Sequence, residues 1–287
     1  MFFLSLVGDV CDDELVRQLF ERHQFDAVVH LAAQAGVRHS IDHPLDYVRN
    51  NIECFVRLLE QLRLRPQVRL VYASSSSVYG SQARIPFALN DPADHQTSMY
   101  GVSKRTNELI ARSYHHLYNI STTGLRFFTV YGEWGRPDMA LYTFVENIEK
   151  GQPISVYGYG QMRRDFTHVD DISAGVLLAL DHGGRDEIFN VGYGKPVLLD
   201  DFVTLLEKSL GKKAIKDMRP RNLEELPVTF CDTRYTTDTL GYHPSVSVDQ
   251  GVARFVEWYR WYSSLSARQR QRALDLMATY EPNHQLR

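Results

Sequence analysis

Tyr100-Gly-Val-Ser-Lys104 places a phenol and an ammonium four residues apart. On a helix that spacing puts both side chains on one face. A cation beside a phenol favours the phenolate. At ~6 Å and an effective dielectric of ~20 the attraction is about 3 kcal/mol, or about two pKa units. That would bring the tyrosine toward the range of a general base. In a chain with 16 tyrosines, such a pair also arises by chance. Upstream, VYASSSSVYG (residues 71–80) reads as a strand ending in four hydroxyls. Ligands of open α/β sheets bind beyond the carboxyl ends of the strands, where serines can hydrogen-bond a substrate hydroxyl. A polar turn closing a strand has the same composition.

The elements that must position these groups follow from the apolar pattern. Residues 2–7, 27–31, 68–73 and 121–131 read as strands. Residues 12–24, 45–64 and 98–118 read as helices, the first capped by Asp12 or Asp13. Strands alternating with helices predict βαβ units and a parallel sheet. Beyond them, residues 139–150 predict a helix and 154–157 a short strand. A helix capped by Asp170 or Asp171 runs to residue 180, and residues 188–191 form a strand. Another helix starts at Asp200 or Asp201 and ends near Gly211. Residues 218–244 read as irregular and proline-punctuated, residues 248–262 as an amphipathic helix, and the tail after Ser263 as helical.

Composition narrows the class. The 287 residues are 44% hydrophobic and 23% charged, with a net charge of −3, as in a globular α/β protein of one large or two modest domains. So even a balance argues against a nucleic-acid or membrane-surface binder. No apolar run reaches the ~18–20 residues of a membrane span, and the start lacks the basic region of a secretory signal. Cys11, Cys54 and Cys231 are far apart in sequence and imply no disulfide framework, which fits a reducing compartment and a cytoplasmic location. No cysteine or second histidine is spaced to make His168 a zinc ligand, so no metal is expected and His168 reads as a buried structural imidazole.

Five motifs then follow in order: VVHLAAQAGVR (28–38), YASSSSVYG (72–80), YGVSK (100–104), GLRFFTVYGEWGRPDMA (124–140) and RRDFTHVDDI (163–172). Together they resemble the extended short-chain dehydrogenase/reductase family, the NAD-dependent nucleotide-sugar epimerases and dehydratases, and within it the UDP-glucuronate 4-epimerases. The likeness runs from about residue 7 to 262. It implies a Rossmann-like doubly wound parallel sheet, N-terminally truncated here, with a smaller mixed α/β substrate domain. The division expected is 1–131 with about 165–194 for the cofactor half, about 132–164 with 195–262 for the nucleotide-sugar half, and 263–287 as a helical tail.

The resemblance also implies roles. Tyr100 would take the proton from the sugar 4-hydroxyl on the way to a 4-keto intermediate. Lys104 would hold the nicotinamide ribose and lower the Tyr100 pKa. Ser75 would hydrogen-bond the 4-oxygen, with Ser77 a neighbouring candidate. Asp9 and Val10 match an adenine-contacting pair. Leu31, Ala32, Ala33, Gln34 and Ala35 would line NAD, and Asn50 would contact it. Thr129 and Arg136 match positions near the sugar carboxylate, although Arg136 can also be read as a surface partner of Glu133. Arg164 and Arg219 match arginines that bind the UDP diphosphate, where a guanidinium fork suits phosphate geometry, and Tyr157 would pack the uracil. A homodimer through residues 45–64 and 98–118 is implied as well.

One departure stands out. Before Gly80 the only glycines are Gly8 and Gly36, so the family's glycine-rich phosphate loop has no counterpart in these residues. Those glycines let the backbone approach a pyrophosphate at a helix N-terminus. The expectation is weak NAD binding and impaired turnover, with strand 27–31 left at an open edge. Two other readings stay open: a non-catalytic remnant that binds a UDP-sugar or a paralogue, and an epimerase for another UDP-hexose.

Overall fold

Along residues 69–75 successive side chains face opposite layers, as a strand's period of two requires. Leu70 and Tyr72 pack into one core and Val71 into another. The computed structural model describes residues 4–81, 84–222 and 225–278. In chain order it forms α1 (Asp13–Arg22), β1 (Ala27–His30), α2 (His39–Asp42), α3 (Pro44–Tyr47), a π-helical turn (Val48–Glu53), α4 (Cys54–Arg63) and β2 (Arg69–Ser75). A 3₁₀ turn (Ser76–Tyr79), α5 (Met99–Tyr118), β3 (Thr122–Phe127) and β4 (Thr129–Tyr131) follow. Next come α6 (Ala140–Lys150), β5 (Pro153–Tyr157), β6 (Arg163–Arg164), β7 (Phe166–His168), α7 (Val169–His182) and β8 (Asp186–Val191). The remainder is β9 (Val197–Leu198), α8 (Leu199–Leu210), β10 (Ile215–Arg219), β11 (Val228–Thr229), α9 (Arg234–Leu240), α10 (Val248–Ser264) and α11 (Ala267–Ala278).

A four-stranded parallel sheet, in the order β1-β2-β3-β8, is the frame. Phe55, Leu58, Leu59 and Leu62 of α4 and Ala111 of α5 bury against Leu70 and Tyr72 on one face. Ile172 and Ala179 of α7 bury against Val71, Leu125 and Phe189 on the other. Each fully buried Leu or Phe contributes about 1.5–3 kcal/mol. Cover on both faces gives the α/β architecture expected of the sequence. A third core lies among α6, α8, α10 and β5, around Phe144, Val156, Phe202 and Phe255. Beside it, small sheets pair β5 with β10, β4 with β7, and β6 with β9 and β11.

Several sequence expectations are corrected. Leu4–Val7 is not a strand: Leu4, Leu6 and Val7 are exposed, and β1 pairs only with β2 among the described residues. A strand needs a neighbour for its backbone groups, and this segment has none there. Residues 2–3 of the expected strand and residues 279–287 of the helical tail lie outside the described residues. The helix expected over 45–64 runs without a gap from Pro44 to Arg63, with the π turn inside it, and such turns are frequent at functional sites. Residues 121–131 form two strands, β3 and β4, in different sheets. His168, not Asp170 or Asp171, caps α7, accepting from the Asp170 N–H at 3.2 Å. Residues 218–244 include β11 and α9, anchored by the pairing of β11 with β6.

The cysteine reading is corrected too. Cys11 and Cys54 form a disulfide, their Cα atoms 4.7 Å apart. Their separation of 43 residues hid a proximity that the turn before α1 and the start of α4 create. No helix among the described residues is long and apolar enough to cross a membrane, and none of their His, Cys, Asp and Glu side chains cluster to hold a metal.

Candidate active site

Helix α5 begins where Ser98 accepts the Gly101 N–H at 3.1 Å, an N-cap that sets the register of Tyr100 and Lys104. Gly101 has a second reason to be glycine. A Cβ there would lie 2.6 Å from the Ser77 carbonyl, so only glycine lets α5 press against the turn that ends β2. That approach brings Tyr100 to Ser75. Ser75 is the last residue of β2 and caps the 3₁₀ turn, accepting from the Ser77 N–H at 3.2 Å. Its hydroxyl lies 3.3 Å from that of Ser77 and favours the ionised form of the Tyr100 phenol. The strand-end serines and the helical tyrosine therefore meet at one point.

Lys104 behaves otherwise than the spacing implied. It is 3% exposed and donates to the Ala73 carbonyl of β2 at 2.8 Å. Burial pushes its ammonium down to about 8. Burial also raises the Tyr100 pKa, against the lowering expected from Lys104; the groups that oppose the rise are Ser75 and Arg136. The physical reason is direction: sharing a helix face did not aim the ammonium at the phenol. Below, Glu108 and Arg126 pair in the interior and tie α5 to β3, with Ser74 of β2 as a third member.

The loop after β1 runs past Tyr100. Leu31, Ala32 and Ala33 are exposed on it, and Gln34 and Ala35 are half-buried. Two residues that sequence reasoning missed hold this loop. Asn51, from the π turn, accepts the Gln34 N–H at 2.7 Å and donates to the Gln34 carbonyl at 3.0 Å and to Ser103 Oγ at 2.9 Å. Tyr47, fully buried, donates to the Gly36 carbonyl at 2.6 Å and stands edge-on to Tyr100, ring centroids 6.1 Å apart. The candidate Asn50 is half-buried on the same turn. No local signal separates Asn50 from Asn51, because the π turn decides which one faces the loop. Asp9 is exposed and accepts the Cys11 N–H at 2.9 Å, with Val10 beside it half-buried. His30, at the end of β1, is held neutral by burial and by nearby Lys104, its pKa pushed down to about 4.

Thr129 opens β4 and is half-buried. Arg136 reaches the loop after β1, with Nη2 3.7 Å from where a Cβ on Gly36 would stand. It pairs with Asp138, not with Glu133; Glu133 instead lies 3.2 Å from buried His168. The expected nucleotide residues form a second group. Parallel pairing of β5 with β10 sets Tyr157 beside Arg219, which pairs with Asp217. Arg164, 17% exposed, donates to the Leu226 carbonyl at 2.9 Å and faces Glu225 at 3.5 Å. Arg38, unassigned by the sequence, lies with its Cζ 4.3 Å above the Tyr157 ring.

Residues 5–192 match the family model described as the NAD dependent epimerase/dehydratase family. The chain is 46% identical over 247 residues to an uncharacterized protein of Methanocaldococcus jannaschii, covering 86% of this chain and 76% of that protein. It is 44% identical over 276 residues to UDP-glucuronate 4-epimerase 4 of Arabidopsis thaliana, covering 90% of this chain but 63% of the plant protein. Among solved structures it is similar to the UDP-glucuronic acid 4-epimerase of Bacillus cereus in complex with UDP-glucuronic acid and NAD. There the identity is 31% and the TM-score 0.82, over 88% of this chain and 80% of that one. The UDP-glucose 4-epimerase of Thermotoga maritima with UDP-glucose superposes with a TM-score of 0.85 at 27% identity, over 90% and 84% of the two chains.

Proposed function

The chain belongs to the NAD dependent epimerase/dehydratase family, and from that premise we propose that it is a UDP-sugar 4-epimerase that converts UDP-glucuronate to UDP-galacturonate. The observation that carries the reading is that α5 presses Tyr100 against the end of β2 that carries Ser75, with Lys104 bonded to Ala73 of the same strand. Two relatives whose names or complexes include UDP-glucuronate support the choice of sugar.

In this reading Tyr100 takes the proton of the sugar 4-hydroxyl and later returns it. Half-buried, with its pKa raised by desolvation, its phenol needs a partner to become a base. Ser75 and Arg136 both act in that direction. Ser75 and Ser77 offer hydroxyls to the sugar 4-oxygen. Thr129 and Arg136 offer a hydroxyl and a guanidinium to the sugar carboxylate, which would be costly to bury unpaired. Tyr157, Arg164 and Arg219 hold the uracil and the diphosphate.

Lys104 fits a nicotinamide ribose. Its buried ammonium donates to one carbonyl, and two of its three donors are left for a diol. Asp9 and Val10 fit the adenine end, and the loop 31–35 with Asn50 would line the cofactor. NAD, when bound, accepts and returns the hydride at the sugar carbon. Among the described residues no glycine-rich turn meets a helix N-terminus to cradle a pyrophosphate. A homodimer through α4 and α5, where Val102, Leu109 and Leu117 of α5 are exposed, belongs to the proposal.

The test is incubation of the purified chain with UDP-glucuronate and NAD⁺, the products separated by chromatography, beside calorimetric titration with UDP. Formation of UDP-galacturonate, even slow, supports the reading. Failure to bind UDP and to interconvert the sugars would overturn it.

A further inference from the structure

Glu225 bridges two arginines that come from distant parts of the chain. Its Oε1 accepts from Arg38 Nη2 at 2.7 Å and from Arg38 Nε at 3.1 Å. Its Oε2 lies 3.5 Å from Arg164 Nη2. Arg38 ends the loop that follows β1 and passes Tyr100, whereas Arg164 is on β6 and Glu225 lies between β10 and β11. Arg38 is 53% exposed, and Glu225 is 19% exposed.

Guanidinium groups gather around this point. Arg38 stacks on Tyr157, Arg219 stands beside Tyr157 across the pairing of β5 with β10, Arg164 faces Glu225, and Arg221 donates to the Glu225 carbonyl. Among the described residues, Glu225 faces Arg38 and Arg164, and Asp217 pairs with Arg219. Glu225 also fits its place incompletely. One oxygen serves Arg38 fully, but the other is beyond ordinary hydrogen-bond length from Arg164. A diphosphate has more oxygens and can meet both guanidinium forks.

Resting on the UDP-sugar reading, we infer that Glu225 is a resident counter-anion, which holds Arg38 and Arg164 in place and is exchanged for the diphosphate when the nucleotide binds. A carboxylate and a phosphate cannot share the same two arginines without repulsion, so Glu225 must turn away as the ligand arrives. It thereby sets how tightly the nucleotide is held and how readily it leaves. Arg38 becomes a residue of the nucleotide site, and its contact ties the loop beside Tyr100 to the occupancy of that site.

The experiment is calorimetric titration of the whole chain and its variants with UDP and, separately, with uridine. Glu225→Gln keeps the size of the side chain and removes the competing charge. It is expected to bind UDP about five- to tenfold more tightly while uridine affinity stays unchanged. Arg38→Gln is expected to weaken UDP binding. Glu225→Asp draws the carboxylate back by one methylene and should tighten UDP binding to an intermediate degree; it serves as the readout should the glutamine variant not fold. Equal or weaker UDP binding by the Glu225 variants would overturn this inference and leave the UDP-sugar reading intact. Failure of the unaltered chain to bind UDP would overturn both.

Discussion

Glu108 and Arg126 form a two-point ion pair in the interior, Oε1 to Nε and Oε2 to Nη2, each 2.8 Å. Both side chains are almost wholly buried, at 1% and 4% exposure. Glu108 stands one helical turn beyond Lys104 on α5, and Arg126 is on β3. Ser74, next to Ser75, donates to the same carboxylate at 2.6 Å. The pair thus fixes the helix that carries Tyr100 against the strand that carries Ser75.

Removing one partner of such a pair strands the other charge. Glu108→Gln should destabilise the fold by about 3–5 kcal/mol, measured by urea unfolding at neutral pH. Burial raises the Glu108 pKa, but Arg126, Ser74 and Arg105 outweigh it and the net shift is downward. A depressed carboxylate stabilises above its unfolded pKa and loses that contribution as pH falls through its folded value. The variant should therefore lose part of the acid-induced fall in stability. A cost under about 1 kcal/mol would show that the pair contributes little.

Tyr100→Phe keeps the ring and removes the titrating oxygen. In the epimerase assay turnover should drop by about 10²–10⁴-fold, the usual contribution of a general base. UDP affinity should be nearly unchanged, since Tyr157 and the arginines around it are untouched. Unaltered turnover would show that the proton goes elsewhere.

Lys104 is buried and its pKa is pushed down to about 8 from the ordinary 10.5 of a free lysine. Between those values the unfolded chain binds the proton more readily than the folded one, so stability rises with pH across that window. Below about pH 8 both states are protonated and the full penalty of burying the charge remains. Lys104→Met should raise the melting temperature at pH 7 and flatten the rise between pH 8 and 10.5. A lower melting temperature in the variant would indicate that the bond to Ala73 outweighs the desolvation.

Arg136 distinguishes substrates in the proposed site. Arg136→Ala should weaken catalysis with UDP-glucuronate by about 2 kcal/mol, roughly thirtyfold, and with UDP-glucose much less. Steady-state kinetics with both sugars would show it. Equal losses would remove the carboxylate-reading role, because Arg136 also opposes the raised Tyr100 pKa, an effect common to both sugars.

Residue type and spacing determined a large part of this protein. The period-two strands, Ser98 before its helix, and the Tyr-Gly-Val-Ser-Lys run are local features, and local sterics and capping act on them directly. So the parallel sheet, the helix α5 and the candidate base were all legible. What only the tertiary structure decided depends on direction and on partners far away in the chain. Lys104 turned to Ala73 instead of Tyr100 because the burial of its ammonium is set by the sheet, not by helix spacing. The π turn gave the loop contact to Asn51 and left Asn50 beside it. Cys11 met Cys54 across 43 residues, and Arg38 met Glu225 across 187. Such meetings leave no trace in composition or periodicity, since they exist only once the loops have been brought together by the packing of the elements between them.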